Sequence, residues 1–164
     1  MRKLLLSSLC FFALSHTAEA KTEWYADSMP NGLSTLTGVF NKNGMGLMFG
    51  CTENFFSAGA IVLNVNKKGN APGPTKINVT TLDNESANFI AELVPSADSN
   101  YTFMSSNAVA SVTTFHLLDT ANNKPIQIEM TNDKLSLSNK WLVDTKGSSD
   151  AIKKFKETCQ LINY

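Results

Sequence analysis

Arginine is nearly missing from this 164-residue chain: Arg2 is the only one, and every other basic side chain is a lysine. The planar arginine fork makes the bidentate contacts that grip phosphate, carboxylate and guanine. The lysines gather only in short groups, Lys67-Lys68 and Lys153-Lys154-Lys156, which read as solvated faces. A nucleic-acid partner is therefore not expected. Histidine is as scarce, with His16 and His116 alone, so base-assisted nucleophilic chemistry has few starting points. No Gly-x-Ser-x-Gly elbow occurs. The glycines at Gly44-Met45-Gly46 and between Gly69 and Gly73 are too irregular for a phosphate loop. The apolar stretch from Leu4 to Leu14 is too short to span a membrane core, which takes roughly 20 apolar residues.

That stretch fits another purpose. Arg2 and Lys3 precede it and Ala18-Glu19-Ala20 follows, the three parts of a cleavable secretory signal. Residues 1–20 are expected to leave, and residues 21–164 to form a single exported β-rich domain. Removing 20 of 164 residues leaves 144, enough to bury one core. The 14 basic residues fall to 12 and the 14 acidic ones to 13 as Arg2, Lys3 and Glu19 depart, so the exported chain is close to neutral. Asn78, Asn84 and Asn100 sit in Asn-x-Ser/Thr triplets, as chance produces in so asparagine-rich a chain.

Cys10 leaves with the signal, and Cys51 and Cys159 remain. Two cysteines in an oxidising compartment are most simply read as one disulfide. It would close a loop of over a hundred residues and contribute roughly 4 to 5 kcal/mol by the chain-entropy model. The alternatives are a thiol nucleophile or a metal site, and both would have to draw on His116 alone. Paired carboxylates would need no histidine, but the spacing of Glu85, Glu92, Asp98 and Glu129 does not set them apart from surface acids. The chain is expected to be non-catalytic, with no cofactor and no metal.

Along the chain, apolar-rich runs at Leu33–Phe40 and Met45–Cys51 flank Asn41-Lys42-Asn43-Gly44 and predict a hairpin, with Trp24 and Tyr25 before it. Ala58–Val65 predicts a third strand. Asn66–Thr75, with its glycines and prolines, reads as an exposed loop. Lys76–Leu82 and Ser86–Val94 alternate as half-buried strands do. Ala108, Val112, Phe115 and Leu118 recur at helical spacing behind a cap at Ser106 or Asn107. Strands follow at Pro125–Met130 and from Leu135 through Trp141 and Val143. Gly147-Ser148-Ser149-Asp150 signals a helix start with hydroxyl caps, and Ile152, Phe155, Cys159 and Ile162 mark its buried face. The expected fold is α+β and mainly antiparallel, sandwich-like, with six to seven strands and a C-terminal helix held by the disulfide.

The ending WLVDTKGSSDAIKKFKETC, taken with LMFGC at Leu47–Cys51, resembles the accessory periplasmic proteins of type VI secretion. Those proteins similarly pair a cysteine after an early strand with one on the last helix. The invasion-associated locus B family is a looser match, with a similar strand-Gly-helix close. The resemblance covers the second half of the chain and the Cys51 strand, and it rests on structural motifs. It implies a periplasmic or secreted protein that acts by protein–protein interaction as an accessory component of a bacterial secretion or envelope system. Two other roles fit the same features: an exported inhibitor or immunity protein against a toxin or wall hydrolase, presenting a loop such as Asn66–Thr75, or a virulence factor acting on a host surface.

Overall fold

A computed structural model describes residues 22–40, 44–62, 72–94 and 101–159. The signal segment with Cys10, the turn at 41–43, most of the loop at 66–75, Asp98, Asn100 and Ile162 lie outside the described residues.

Among the described residues, nine strands form one antiparallel sheet. They are β1 (Glu23–Ser28), β2 (Ser34–Val39), β3 (Met45–Thr52), β4 (Phe55–Val62), β5 (Thr75–Thr80), β6 (Ser86–Val94), β7 (Tyr101–Met104), β8 (Ile126–Asn132) and β9 (Leu137–Val143). Helix α1 (Ala108–Asp119) joins β7 to β8, and α2 (Ser148–Thr158) follows β9. The order across the sheet is β1-β2-β3-β4-β7-β6-β5-β8-β9. The α+β, mainly antiparallel class stands, and the strand count rises from the expected six or seven to nine. The two additions are β1, which contains Trp24 and Tyr25, and the four-residue β7.

The layering is that of one curled sheet, and β6 is its pivot. Ser86–Ala91 of β6 pairs with β5, whereas Glu92–Val94 pairs with β7. Strict alternation along β6 buries Ala87, Phe89 and Ala91 and exposes Ser86, Asn88 and Ile90. Tight turns set the register elsewhere. Thr81 and Glu85 close the β5–β6 turn through backbone and hydroxyl bonds, with Asn84 at a φ of 65°; Leu82, expected within a strand, lies exposed in this turn. The strand from Leu135 likewise starts later, at Leu137, because Asp133–Leu135 forms one 3-10 turn capped by the Asn132 side chain.

One face of the sheet carries the core. Leu36, Leu47, Phe49, Ala58, Ala60, Phe103, Ile77, Val79, Ile128 and Met130 are all buried on it. Both helices pack against that face, where Phe115 of α1 and Phe155 of α2 join Phe49 and Phe56 in one aromatic cluster with ring centroids 5.4 to 6.3 Å apart. Curling brings Phe40, just past β2, to Trp141 of β9 at 5.3 Å.

The helix α1 turns a different face inward from the one its apolar spacing suggested. Val112 is exposed, while Ser111 and Thr114 are buried beside Phe115 and Leu118. Their hydroxyls donate to the carbonyls of Asn107 and Ala110, four residues back, so they enter the core with their hydrogen bonds made. Asn107 provides the expected cap, its side chain accepting from the Ala110 N–H. In α2 the cap position is Gly147, in the left-handed region at φ 87°, with no side-chain cap bond from the serines. Asp150 does lie in the first turn, where the helix dipole favours it. The expected inner residues Ile152, Phe155 and Cys159 are buried.

Candidate functional site

Cys51 at the end of β3 and Cys159 at the end of α2 form a disulfide, with Cα atoms 5.7 Å apart and 108 residues between them. Both cysteines are buried. The bond pins the last helix to the first half of the sheet, and neither sulfur is a free thiol. His116 sits on the exposed side of α1. Glu85 lies in the β5–β6 turn, Glu92 on the last turn-ward residues of β6, and Glu129 on β8 beside Lys140 at 3.8 Å. The carboxylates thus fall on separate elements. Among the described residues, no three side chains from His, Cys, Asp and Glu gather in a metal-binding group. No helix there is long and apolar enough to cross a membrane.

A cleft of about 490 Å³ opens between the end of α1 and the start of α2. Asn122, Asn123, Ser148 and Lys153 line it, over Leu118 and Ile152. Lys156 at its side is paired with Asp119 and lies 5.9 Å from the Phe115 ring centroid. Lys154, on the same helix, donates to the Ala26 carbonyl of β1 and so covers part of that sheet edge. These two lysines therefore do more than face solvent as expected.

The outer face of the sheet differs sharply between its two halves. On β5, β6, β8 and β9 it carries Lys76, Asn78, Gln127, Glu129, Thr131 and Lys140, with Ile90 and Leu142 exposed among them. On β2, β3, β4 and β7 it carries no charge. Register places Tyr25, Thr37, Met48, Gly59 and Met104 in one row across five strands. A neighbouring row runs Val39, Gly46, Ile61, Thr102, and another runs Thr35, Gly50, Ser57.

Glycine sets the relief of this surface. A Cβ on Gly59 would fall 2.8 Å from the Met104 sulfur and closer still to the Phe103 carbonyl oxygen, so the methionine lies directly on the bare backbone. A Cβ on Gly50 would meet Met104, Leu33 and Phe55 at 3.1 to 3.9 Å, which shows that those three side chains converge above it. Ser57, beneath them, is fully buried and donates to the Ser105 carbonyl oxygen at 2.6 Å. The result is a thin apolar layer on a floor of glycine, serine and threonine. Its outermost members stay open to solvent: Tyr25 is 43% exposed and Phe55 44%.

Most of this face is covered, with Thr35, Thr37 and Ser57 buried, but Tyr25 and Phe55 at its margin are exposed aromatics where the outer side of an antiparallel sheet normally reads polar. Strand parity alone would have identified its members once the strand order was known. The order was the missing signal, because β7 enters between β4 and β6 out of sequence. No protein-family model matches the chain, and neither a curated protein nor a solved structure does.

Proposed function

We propose that this is an exported, non-catalytic protein that works by binding another protein through the outer face of β1–β4 and β7. The observation that carries the reading is the uncharged apolar layer around Tyr25, Met48, Phe55 and Met104, two of whose aromatics are over two-fifths exposed. Exposed Tyr and Phe supply large contact area with little side-chain entropy, and methionines adapt to a partner's shape. The buried Cys51–Cys159 bond agrees with an oxidising compartment, and the N-terminal signal supplies the route there. Periplasmic or secreted placement, and a role as an accessory component of a bacterial secretion or envelope system, follow the resemblance of the chain's ending.

The test is affinity capture from an envelope extract with the purified oxidised protein, run beside a Tyr25→Ser/Phe55→Ser variant with an unchanged melting temperature. The expected result is a protein retained by the wild type and reduced at least about tenfold by the variant, as for anchor residues worth above roughly 1.4 kcal/mol. Equal capture by both would move the binding surface elsewhere. A hydrolase as the captured protein would replace the accessory role by that of an inhibitor. Intrinsic hydrolase activity abolished by His116→Ala would overturn the non-catalytic reading.

A further inference from the structure

The cleft between α1 and α2 ends on a helix start that its own sequence leaves uncapped. Gly147 holds the cap position of α2, and no side-chain bond caps the first turn. First-turn N–H groups have no partner within a helix and carry the positive end of its dipole. The Ser148 N–H is met by the Thr145 carbonyl, whereas the Ser149 and Asp150 N–H groups take no bond among the described residues. Ser148 lines the cleft beside this turn and is 3% exposed, yet its hydroxyl makes no hydrogen bond to any described residue. Nor is it sealed in, because Thr22 Oγ1 is the one enclosed side-chain group without a partner among the described residues. What little of Ser148 stays open is therefore its hydroxyl, and the opening is the cleft. A nearly buried hydroxyl with no bond of its own is a group that a ligand completes.

The rest of the lining narrows the ligand. Lys153 lies one turn beyond Ser149 and enters no ion pair among the described residues. Helical side chains lean toward the helix start, so its ammonium reaches back to the open turn. Asn122 and Asn123 line the α1 side, and Leu118 and Ile152 supply an apolar floor. The four charged side chains of the lining cancel: Lys153 and Lys156 stand against Glu157 and Asp119, the last already paired with Lys156. Asp150 is exposed and does not line the cleft.

We infer that this cleft binds a carboxylate joined to an apolar group, either a free small acid or the C-terminal end of a peptide. The carboxylate is met by the Ser149 and Asp150 N–H groups, the Ser148 hydroxyl and the Lys153 ammonium, and the apolar group lies on Leu118 and Ile152. Its volume of about 490 Å³ is that of a small-molecule site. The balanced lining favours a carboxylate over a phosphate. One negative charge is matched by Lys153 and the helix dipole, whereas the second charge of a phosphate monoester would be set against Glu157 and Asp119 with no further cation to meet it.

Nuclear magnetic resonance titration of the isotope-labelled, oxidised protein with N-acetylleucine tests this. The expected result is a saturable shift of the Ser149 and Asp150 amide signals with a Kd of about 1 mM or tighter, as befits a ligand of about a dozen non-hydrogen atoms. N-acetylleucinamide, which lacks the charge, binds at least about fivefold more weakly. Ser148→Ala weakens N-acetylleucine at least about threefold and leaves the melting temperature unchanged, since that hydroxyl bonds to nothing in the fold. Lys153→Gln weakens it likewise, and Tyr25→Ser/Phe55→Ser on the outer face does not. The peptide acetyl-Ala-Ala-Leu separates the two sources: tighter binding than N-acetylleucine assigns the site to a chain's C-terminus, and equal or weaker binding to a free acid. Equal affinity for the amide, or tighter binding of inorganic phosphate at the same signals, would overturn the carboxylate. A melting temperature lowered by Ser148→Ala with N-acetylleucine affinity unmoved would make the hydroxyl structural. The absence of any saturable shift at this turn would remove the site altogether.

Discussion

The indole nitrogen of Trp24 donates to the carbonyl oxygen of Asp144 at 3.1 Å, joining residues 120 positions apart. Trp24 lies on β1, at one edge of the sheet, and Asp144 immediately follows β9, at the other. The bond thus ties the two ends of the curled sheet together. Gly38, opposite Trp24 on β2, makes this possible: a Cβ there would fall 2.4 Å from the indole ring. Gly38→Ala is expected to push the ring from its place and destabilise the protein by about 1 to 3 kcal/mol, as overpacking does. Denaturant unfolding measures the loss, and tryptophan emission reports the shifted indole. An unchanged midpoint and spectrum would mean that the closure contributes little.

The Cys51–Cys159 bond holds α2 against the sheet from its far end. Its closed loop of over a hundred residues restricts the unfolded chain, so the Cys51→Ser/Cys159→Ser variant should be less stable by about 4 to 5 kcal/mol on the chain-entropy account. Because the bond acts chiefly on the unfolded state, the urea slope should rise as the midpoint falls. A loss under about 1 kcal/mol would show that the packing of Ile152 and Phe155 already fixes α2.

Much of this arrangement was legible in the chain. The inner face of α2 and the alternation of β6 follow from local spacing, which tertiary structure did not override, and the pairing of Cys51 with Cys159 follows from their being the two cysteines left outside the signal segment. What local spacing misses are elements too short or too polar to show a period. In β1 only Ala26 is fully buried and Trp24 partly so, and in β7 only Phe103 is buried, so neither strand presents a pattern of its own. Ser111 and Thr114 of α1 are hidden for a different reason, since their polarity is cancelled by bonds to the helix backbone that composition does not reveal. The outer face was hidden because its rows join residues from strands far apart in sequence, Gly59 with Met104 and Glu92.

Asn132 organises the β8–β9 corner from within the core, at 1% exposure. Its amide nitrogen donates to the Gly73 carbonyl and to the Thr75 hydroxyl, both at 2.9 Å, and its oxygen accepts from the Leu135 N–H at 3.0 Å. Asn132→Asp keeps the acceptor but loses the donation to the Gly73 carbonyl and sets a buried carboxylate against that oxygen, while the Thr75 hydroxyl can turn to donate to it. We expect a loss of about 2 to 4 kcal/mol at neutral pH from the unmet and repelled groups. Protonating the introduced acid restores one donor, so the deficit relative to the wild type should shrink as pH falls below the variant's raised carboxyl pKa. Thermal melts of both proteins between pH 4 and 8 check the sign. A deficit independent of pH would show that the corner relaxes and admits water.

Phe55 and Phe56 are adjacent on β4 and point to opposite faces, which makes them the sharpest test of which side is core and which is contact surface. Phe56 is 7% exposed and packs with Phe49, Phe115 and Phe155. Phe55 lies on the outer layer above Gly50. Truncating a buried phenylalanine removes its transfer energy and leaves a cavity, so Phe56→Ala should cost about 3 to 5 kcal/mol. Phe55→Ala removes a ring that is already nearly half in water, and its loss should stay near or below about 1 kcal/mol. Urea unfolding of the two single variants reads both numbers directly. If Phe55→Ala proved as damaging as Phe56→Ala, the outer layer would be a second structural core, and its apolar character would need no partner to explain it.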